Sequence, residues 1–397
     1  MITTIKSIFI LILKIIISLV LLIFLILAVL YSGTTIYNFP QTKPFAGSEI
    51  FNPYNTQDSI QYKANFHAHT YSWYGLTHGG NTDKEVYDAY MKKGYDIACI
   101  SNYHKISTYH SALTPLYIPA YEHGYNVNKA HYLVINAEKV SYGDFPLWQS
   151  SSHQQTIIDV LRKNAEIVTI AHPKFGGGRS YENIRTIVGY HLMEVLNHYR
   201  NSEAFWDQAL SVGKLSWIIG NDDIHDLQDP TIFKIWNIIF SNTYSRDSIL
   251  SNLKKGNNYV VQSENGSTEN SFVSCIKKDE NTFRFNFGNE VDTILFIGQN
   301  GDIKQINTKI KSAQYSFGTA DTYVRVVAHN KKSSIFLNPL FRYDGIKLPY
   351  VANLNATKNL FLTWICRLFF ISLAMFTIMA WKKVIFLNTN PDNNIEM

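Results

Sequence analysis

From Ile8 to Tyr31 this chain is apolar except at Lys14 and Ser18, so one of its ends must be kept from water. The run exceeds the roughly 20 residues needed to cross a hydrocarbon core. A signal peptide is the competing reading, but the stretch is long for one and no clean small-x-small cleavage site follows. A second apolar stretch, Leu360 to Trp381, is interrupted by Arg367. That charge lies near enough to the start of the stretch to snorkel; an amphipathic C-terminal helix docked on the rest is the alternative. The expected organisation is a transmembrane helix over 7–32, a linker over 33–60, a second transmembrane helix over 359–381 and a polar tail over 382–397. Lys6, Lys14 and Lys382-Lys383 place both termini in the cytoplasm and the intervening chain outside. Membrane lipid is therefore an expected partner.

A net charge of +5 over 397 residues, with lysines scattered in short doublets, gives no basic tract for nucleic acid. Cys99, Cys275 and Cys366 share no metal-type spacing and form no disulfide framework. Any bound metal must then be held by His, Asp and Glu.

Between the spans, two textures follow one another. Over 61–245, strand-like runs alternate with amphipathic helical segments, as in YDIACIS after TDKEVYDAYMKKG and EIVTIAH after HQQTIIDVLRKNA. Such alternation predicts βα units with parallel strands, and about seven of them suggest a barrel rather than an open sheet. Over 246–345 a helix, SRDSILSNLKKG, leads to short alternating strands separated by turns such as ENGS and GQNGD. This predicts a small antiparallel β-domain of sandwich type.

Twelve of the thirteen histidines lie between His67 and His225, several at the ends of apolar runs. In NFHAHTYS, His67 and His69 share one side of an extended strand and can reach one ion. Glu122 closes the run IPAYE, where an unpaired carboxylate is costly to bury; an ion-paired or exposed Glu is the plain alternative. His172 ends IVTIAH, and the turn after it carries Arg179 in a glycine-rich setting suited to a phosphate, or simply a flexible loop. In WIIGNDDIHD, Asp223 and His225 repeat the one-residue spacing, with Asp222 as an alternative carboxylate and Asp226 as a turn residue. His131 opens the run HYLVI and offers another imidazole. Each piece alone is ordinary. Their joint occurrence at strand ends argues for a nitrogen and oxygen donor set suited to zinc, manganese or iron. More than four candidate ligands imply at least two ions.

Taken together, NFHAHTYS, GYDIACISNYHKI, IPAYE, IAHP and GNDDIHD resemble the motifs of the polymerase-and-histidinol-phosphatase (PHP) superfamily of metal-dependent phosphoesterases, over roughly Tyr62 to Asp226. The resemblance implies an α/β fold, a distorted (β/α)7 barrel of PHP type with two or three divalent ions at its C-terminal rim. By position it assigns His67, His69, Glu122 and Asp223 to one metal, and Glu122, His131 and His172 to a second, with His225 completing the cluster. The second motif departs from the family's Thr-Asp-His-Asn, having Ser101, Asn102, Tyr103 and His104 there. A third ion would then need His104 through a one-residue slip, helped by His78. The expected chemistry is hydrolysis of a phosphorylated substrate by a metal-bridging hydroxide, with Arg179 and Lys105 on the phosphate and His225 or His104 protonating the leaving group. A degenerate barrel serving as a membrane-anchored binding or scaffolding module is the rival reading. Protein phosphotyrosine or a cell-surface polymer is a further substrate possibility.

Overall fold

The computed structural model describes residues 2–56, 59–77, 79–198 and 200–386. The chain divides into two compact units, Phe39–Ala356 and the joined ends Met1–Asn38 with Thr357–Met397. In the unit made by the ends, helix α1 (Ile2–Tyr31) and a C-terminal helix (Leu360–Phe386) are both long and apolar enough to cross a membrane. They run antiparallel: the Tyr31 ring lies 5.7 Å from that of Phe370, and Lys14 Nζ reaches the Ile385 carbonyl at 3.5 Å. Arg367, the charge that breaks the second apolar run, is hydrogen-bonded. Its guanidinium donates to the Thr34 carbonyl (3.2 Å) and to Thr35 Oγ1 (3.3 Å) just beyond α1.

The unit Phe39–Ala356 is α/β. Strands β1 (Ile60–Asn65) and β2 (Ile97–Ala98) pair in parallel, and a second sheet holds β3 (Ala120–His123), β4 (Tyr132–Ala137), β5 (Ala165–Ile170), β6 (Leu192–Asn197) and β7 (Trp217–Asn221) in the order β7-β6-β5-β4-β3. Helices α2 (Asp83–Lys92), α3 (Ser151–Leu161), α4 (Tyr181–Thr186) and α5 (Glu203–Ser211) intervene. Local chemistry starts them: Thr82 and Glu85 form a reciprocal capping box on α2, and its Val86 and Tyr90 are buried.

Two expectations change. Not every strand is parallel, for β4 runs antiparallel to both β3 and β5. Only residues 124–131 separate β3 from β4, fewer than the dozen or so a parallel crossover needs. Nor do the seven strands close into one continuous ladder. They belong to two sheets, and the seams between these are crossed by isolated bridges, Ala68–Ile224 and Tyr103–Glu122, at the rim.

The seam at β7 is zipped by side chains instead. Strand β8 (Ile235–Ser241) pairs with β1, and β9 (Asn258–Ser263) pairs with β8. From these neighbours, Asn237 accepts from Gly220 N–H (3.0 Å) and donates to the Gly220 carbonyl (2.7 Å). Asn258 donates to the Ile218 carbonyl and Asn338 accepts from Ile218 N–H, both at 2.8 Å. Further along, Asn65 and Asn221 exchange bonds with the backbone N–H of Asp222 (3.0 Å) and Phe66 (2.8 Å). All five asparagines are fully buried. Gly220 is the residue that permits the approach, since a Cβ there would meet Val260 Cγ1 at 2.4 Å.

After α6 (Arg246–Lys255), the antiparallel strands do not stand apart as a sheet of their own. Strands β10 (Phe272–Lys277), β11 (Thr282–Ile297), β12 (Ile303–Ser316), β13 (Tyr323–His329), β14 (Ser333–Leu337) and β15 (Leu340–Tyr343) join β9, β8, β1 and β2 in one ladder. From β13, the buried Arg325 reaches back to α5, bonding Asp207 at 2.7 and 2.8 Å and Glu203 at 2.7 Å.

Replacing Asn237 by Leu strands both polar groups of Gly220 without partners. We expect a loss on the order of 2–5 kcal/mol, read as a lower thermal unfolding midpoint. An unchanged midpoint would show that the seam does not need this side chain.

Candidate metal centre

The rim beyond β1 and β7 is where the ligand candidates meet. Backbone bonds across the seam, Asp223 N–H to the His67 carbonyl (3.0 Å) and His69 N–H to the Ile224 carbonyl (2.8 Å), set His67, His69 and Asp223 side by side. Across the other seam, Glu122 N–H donates to the Ser101 carbonyl at 3.0 Å. The carboxylate of Glu122 thereby faces the same point.

His67 Nε2 and His69 Nε2 stand 3.2 Å apart. Glu122 Oε2 lies 3.3 and 3.1 Å from them, and Asp223 Oδ1 lies 3.2 and 3.1 Å from them. Donors bonded to one first-row cation at about 2.0–2.2 Å are separated by roughly 3.3–3.6 Å in tetrahedral geometry, so these four atoms nearly have the spacing of a coordination shell. Glu122 Oε2 and Asp223 Oδ1 are buried and accept no well-aligned hydrogen bond, a costly state that a cation relieves. The other oxygen of Glu122 faces a second imidazole pair, His131 Nδ1 at 2.7 Å and His172 Nε2 at 3.0 Å. Three overlapping groups could each hold an ion: His67, His69, Glu122 and Asp223; Glu122, His131 and His172; and His67, His172 and Glu194.

Electrostatics agree with this chemistry. Burial pushes both carboxyls up, yet the surrounding imidazoles outweigh it and hold Glu122 and Asp223 well below the usual carboxylate range. Burial likewise opposes charge on His67, His69 and His172, but the carboxylates raise all three. Burial lowers His131 despite its bond to Glu122, so His67, His69 and His172 are the imidazoles at which protons would compete with a cation. Asp223 (φ +50°) and His172 (φ +23°) also hold left-handed backbone, a strain of about 1–3 kcal/mol each that concentrates at functional sites.

The other sequence candidates sort themselves around this centre. His225 stacks on His69 with ring centroids 4.3 Å apart, its Nε2 3.6 Å from Asp223 Oδ1. At 21% side-chain exposure it is the open side of the cluster. Burial and the neighbouring His69 lower it to about 4, so it is neutral at pH 7 and not a preloaded acid. His104 is turned elsewhere: Nδ1 donates to the Ser141 carbonyl (3.0 Å) and Nε2 accepts from Gly124 N–H (3.1 Å). With both nitrogens engaged it has no proton for a leaving group. Arg179 does not present itself to a phosphate either. It is 4% exposed, bonded to Gln154 Oε1 (2.7 Å) and the His131 carbonyl (2.8 Å), and so positions a ligand from behind. Asp222 points away, accepting from Tyr90 Oη at 3.0 Å, with burial raising it to about 7. Asn102 secures the His69–Thr70 turn through Thr70 N–H and Thr70 Oγ1, both 2.7 Å. The Tyr103 ring stacks on His69 at 4.7 Å. His78 lies outside the described residues.

Sequence reasoning missed Glu194. This buried residue accepts from His67 Nδ1 at 2.9 Å, from His172 N–H at 3.0 Å and from Asn221 Nδ2 at 2.8 Å. It fixes the tautomer that leaves the His67 Nε2 lone pair facing the centre. The signal was available: HLMEVLN sets a carboxylate inside an apolar strand, the same anomaly that marks Glu122.

No family model matches this chain, and no curated protein matches it in sequence. Among solved structures it is similar to one from Bacteroides vulgatus ATCC 8482, described as a two-domain protein containing a predicted PHP-like metal-dependent phosphoesterase. The identity is 10% and the TM-score 0.40, over 81% of this chain and 99% of that one.

Glu194→Gln keeps the shape and removes the acceptor charge behind His67. Metal affinity should fall by roughly 10–100-fold, measured by competition with a chromophoric chelator. Because His67, His69 and His172 are raised, affinity should also weaken as pH falls and protons compete; a pH-independent affinity would contradict this donor set.

Proposed function

We propose that this chain is a metal-dependent phosphoesterase that hydrolyses phosphate esters at a centre of two divalent cations, anchored in a membrane by its terminal helices. The observation that carries the reading is Glu122, whose two oxygens face two separate imidazole pairs. His67, His69 and Asp223 with Glu122 would hold one ion, and His131 and His172 with Glu122 the other. Zinc, manganese and iron all suit these donors. Such a pair would supply Lewis acidity and a water whose pKa approaches neutrality.

The chain's own residues then have narrower tasks. His225, neutral and on the open side, is placed to take a proton from water or to complete the first ligand set. Glu194 and Arg179 hold ligands in orientation rather than touch substrate. Lys105, lining the cavity beside Tyr71 and His104, is a cation available to an incoming anion. For a third ion the second motif offers little among the described residues, since Ser101, Asn102 and Tyr103 carry no carboxylate and His104 is engaged elsewhere; the remaining group, His67, His172 and Glu194, shares its imidazoles with the first two.

The test is release of phosphate from a panel of mono- and diesters by the full chain in detergent. Activity should vanish with chelator, return with zinc, manganese or iron, and fall by at least about 10³-fold in Asp223→Asn or His69→Ala. A metal-loaded chain inert on the whole panel would rule out hydrolysis. A chain that binds no metal would point instead to a binding or scaffolding module.

The same proposal places both termini in the cytoplasm and Phe39–Ala356 outside. A compartment-sensitive reporter fused to the C-terminus should read as cytoplasmic; an external signal reverses the orientation.

A further inference from the structure

Four residues past His69 the backbone does something costly. Trp73 (φ +52°), Tyr74 (φ +54°) and Gly75 (φ +82°) are consecutive left-handed residues. Only the last is a type that tolerates this readily. Gly75 also lets the Tyr71 ring approach, for a Cβ there would meet Tyr71 Cε2 at 3.3 Å. Trp73 Nε1 donates to the Tyr103 carbonyl at 2.7 Å, tying this turn to the residue whose ring stacks on His69. The strain hides nothing from water. Trp73 is 41% exposed, Tyr71 55% and Tyr74 96%.

These aromatics form one side of a cavity of about 670 Å³, whose lining also includes Ser72, His104, Lys105 and Tyr142. The volume is that of a small-molecule site. Tyr142, 60% exposed, lies nearly parallel to the His104 ring at 5.8 Å. The hydroxyl of Ser72 is buried and finds no partner among the described residues. Strained backbone, wet aromatic faces and an orphaned hydroxyl in one wall are hard to explain as packing.

We propose that this cavity is a subsite for a sugar ring, and that the phosphate esters cleaved at the adjacent centre are sugar phosphates. A hexose presents C–H faces that lie against exposed Trp and Tyr rings, while its rim of hydroxyls stays wet or meets polar side chains. The exposed Lys105 Nζ supplies a donor to that rim here. A simple aryl group would favour a sealed, dry slot, which this open cavity is not. Naming the substrate class rests on the phosphoesterase reading; the sugar subsite itself does not.

The experiment therefore has two arms, both on the full chain in lipid nanodiscs, because sugar-based detergents would occupy the site. In the first, saturation-transfer NMR is run with neutral cellobiose, chitobiose and maltose, with glycerol as the ring-free control. Saturation of at least one disaccharide, lost in Trp73→Ala and in Tyr142→Ala, supports the subsite. Both side chains are exposed, so these variants keep the core intact. No saturation, or saturation that survives both substitutions, overturns the subsite. So does quenching of Trp73 by brominated acyl chains, which would make the turn a lipid contact. In the second arm, kcat/KM is compared between hexose phosphates and glycerol phosphate. A preference for hexose phosphates that shrinks roughly tenfold in Trp73→Ala supports the substrate class, and equal rates overturn it. Sugar binding without hydrolysis of any ester would retain the subsite and reject the phosphoesterase reading.

Discussion

Five buried asparagines, Asn65, Asn221, Asn237, Asn258 and Asn338, replace a β-ladder along one side of β7. A buried strand edge needs a partner for every N–H and C=O. An amide side chain supplies a donor and an acceptor in one plane, so each can satisfy a backbone pair without the register that another strand would impose. The two sheets can then meet at Gly220 with the offset that brings the ends of β1 and β7 level. Backbone bonds between His67 and Asp223 and between His69 and Ile224 follow from that offset. The position of the candidate metal centre therefore depends on amide chemistry in the seam as much as on its own residues.

At the centre the controlling group is Glu122. Its ionised carboxylate is the counter-charge that lets His67, His69 and His172 point inward rather than toward water, and it accepts from the neutral His131 ring. Glu194 plays a parallel role one layer out, bonding the His67 ring and the His172 backbone at once. Arg179 acts from the other side through the His131 carbonyl. Ligands from separate segments are thus braced by charged groups that no solvent screens.

What was legible in the sequence was the chemistry that strand ends carry. A His-x-His, a carboxylate closing an apolar run and a His before Pro173 are anomalies of composition, and the structure gathers them. The alternation of strands and helices was equally readable, because α2, α3 and α6 announce themselves by caps and, with α5, by an apolar face. What was illegible depends on partners distant in the chain. An asparagine inside an apolar run looks like a weak strand residue until the edge that it satisfies is known. The reversed direction of β4 follows from a short connection, which pattern reading passed over. Arg179 and His104 carry suitable functional groups, but neighbours from other elements claim their nitrogens.

Arg325 bears on how such a chain can be inherited. It is buried and bonded to Asp207 and Glu203, so α5 and β13 each hold half of a charge pair closed off from water. Removing one partner of a buried pair costs about 3–5 kcal/mol. The same antiparallel strands also carry β9, whose Asn258 seals the edge of β7. A gene fragment ending after residue 245 would leave Asp207 without its guanidinium and β7 with an open edge. The antiparallel region is accordingly no detachable module awaiting exchange: recombination within this chain is constrained to move both parts together.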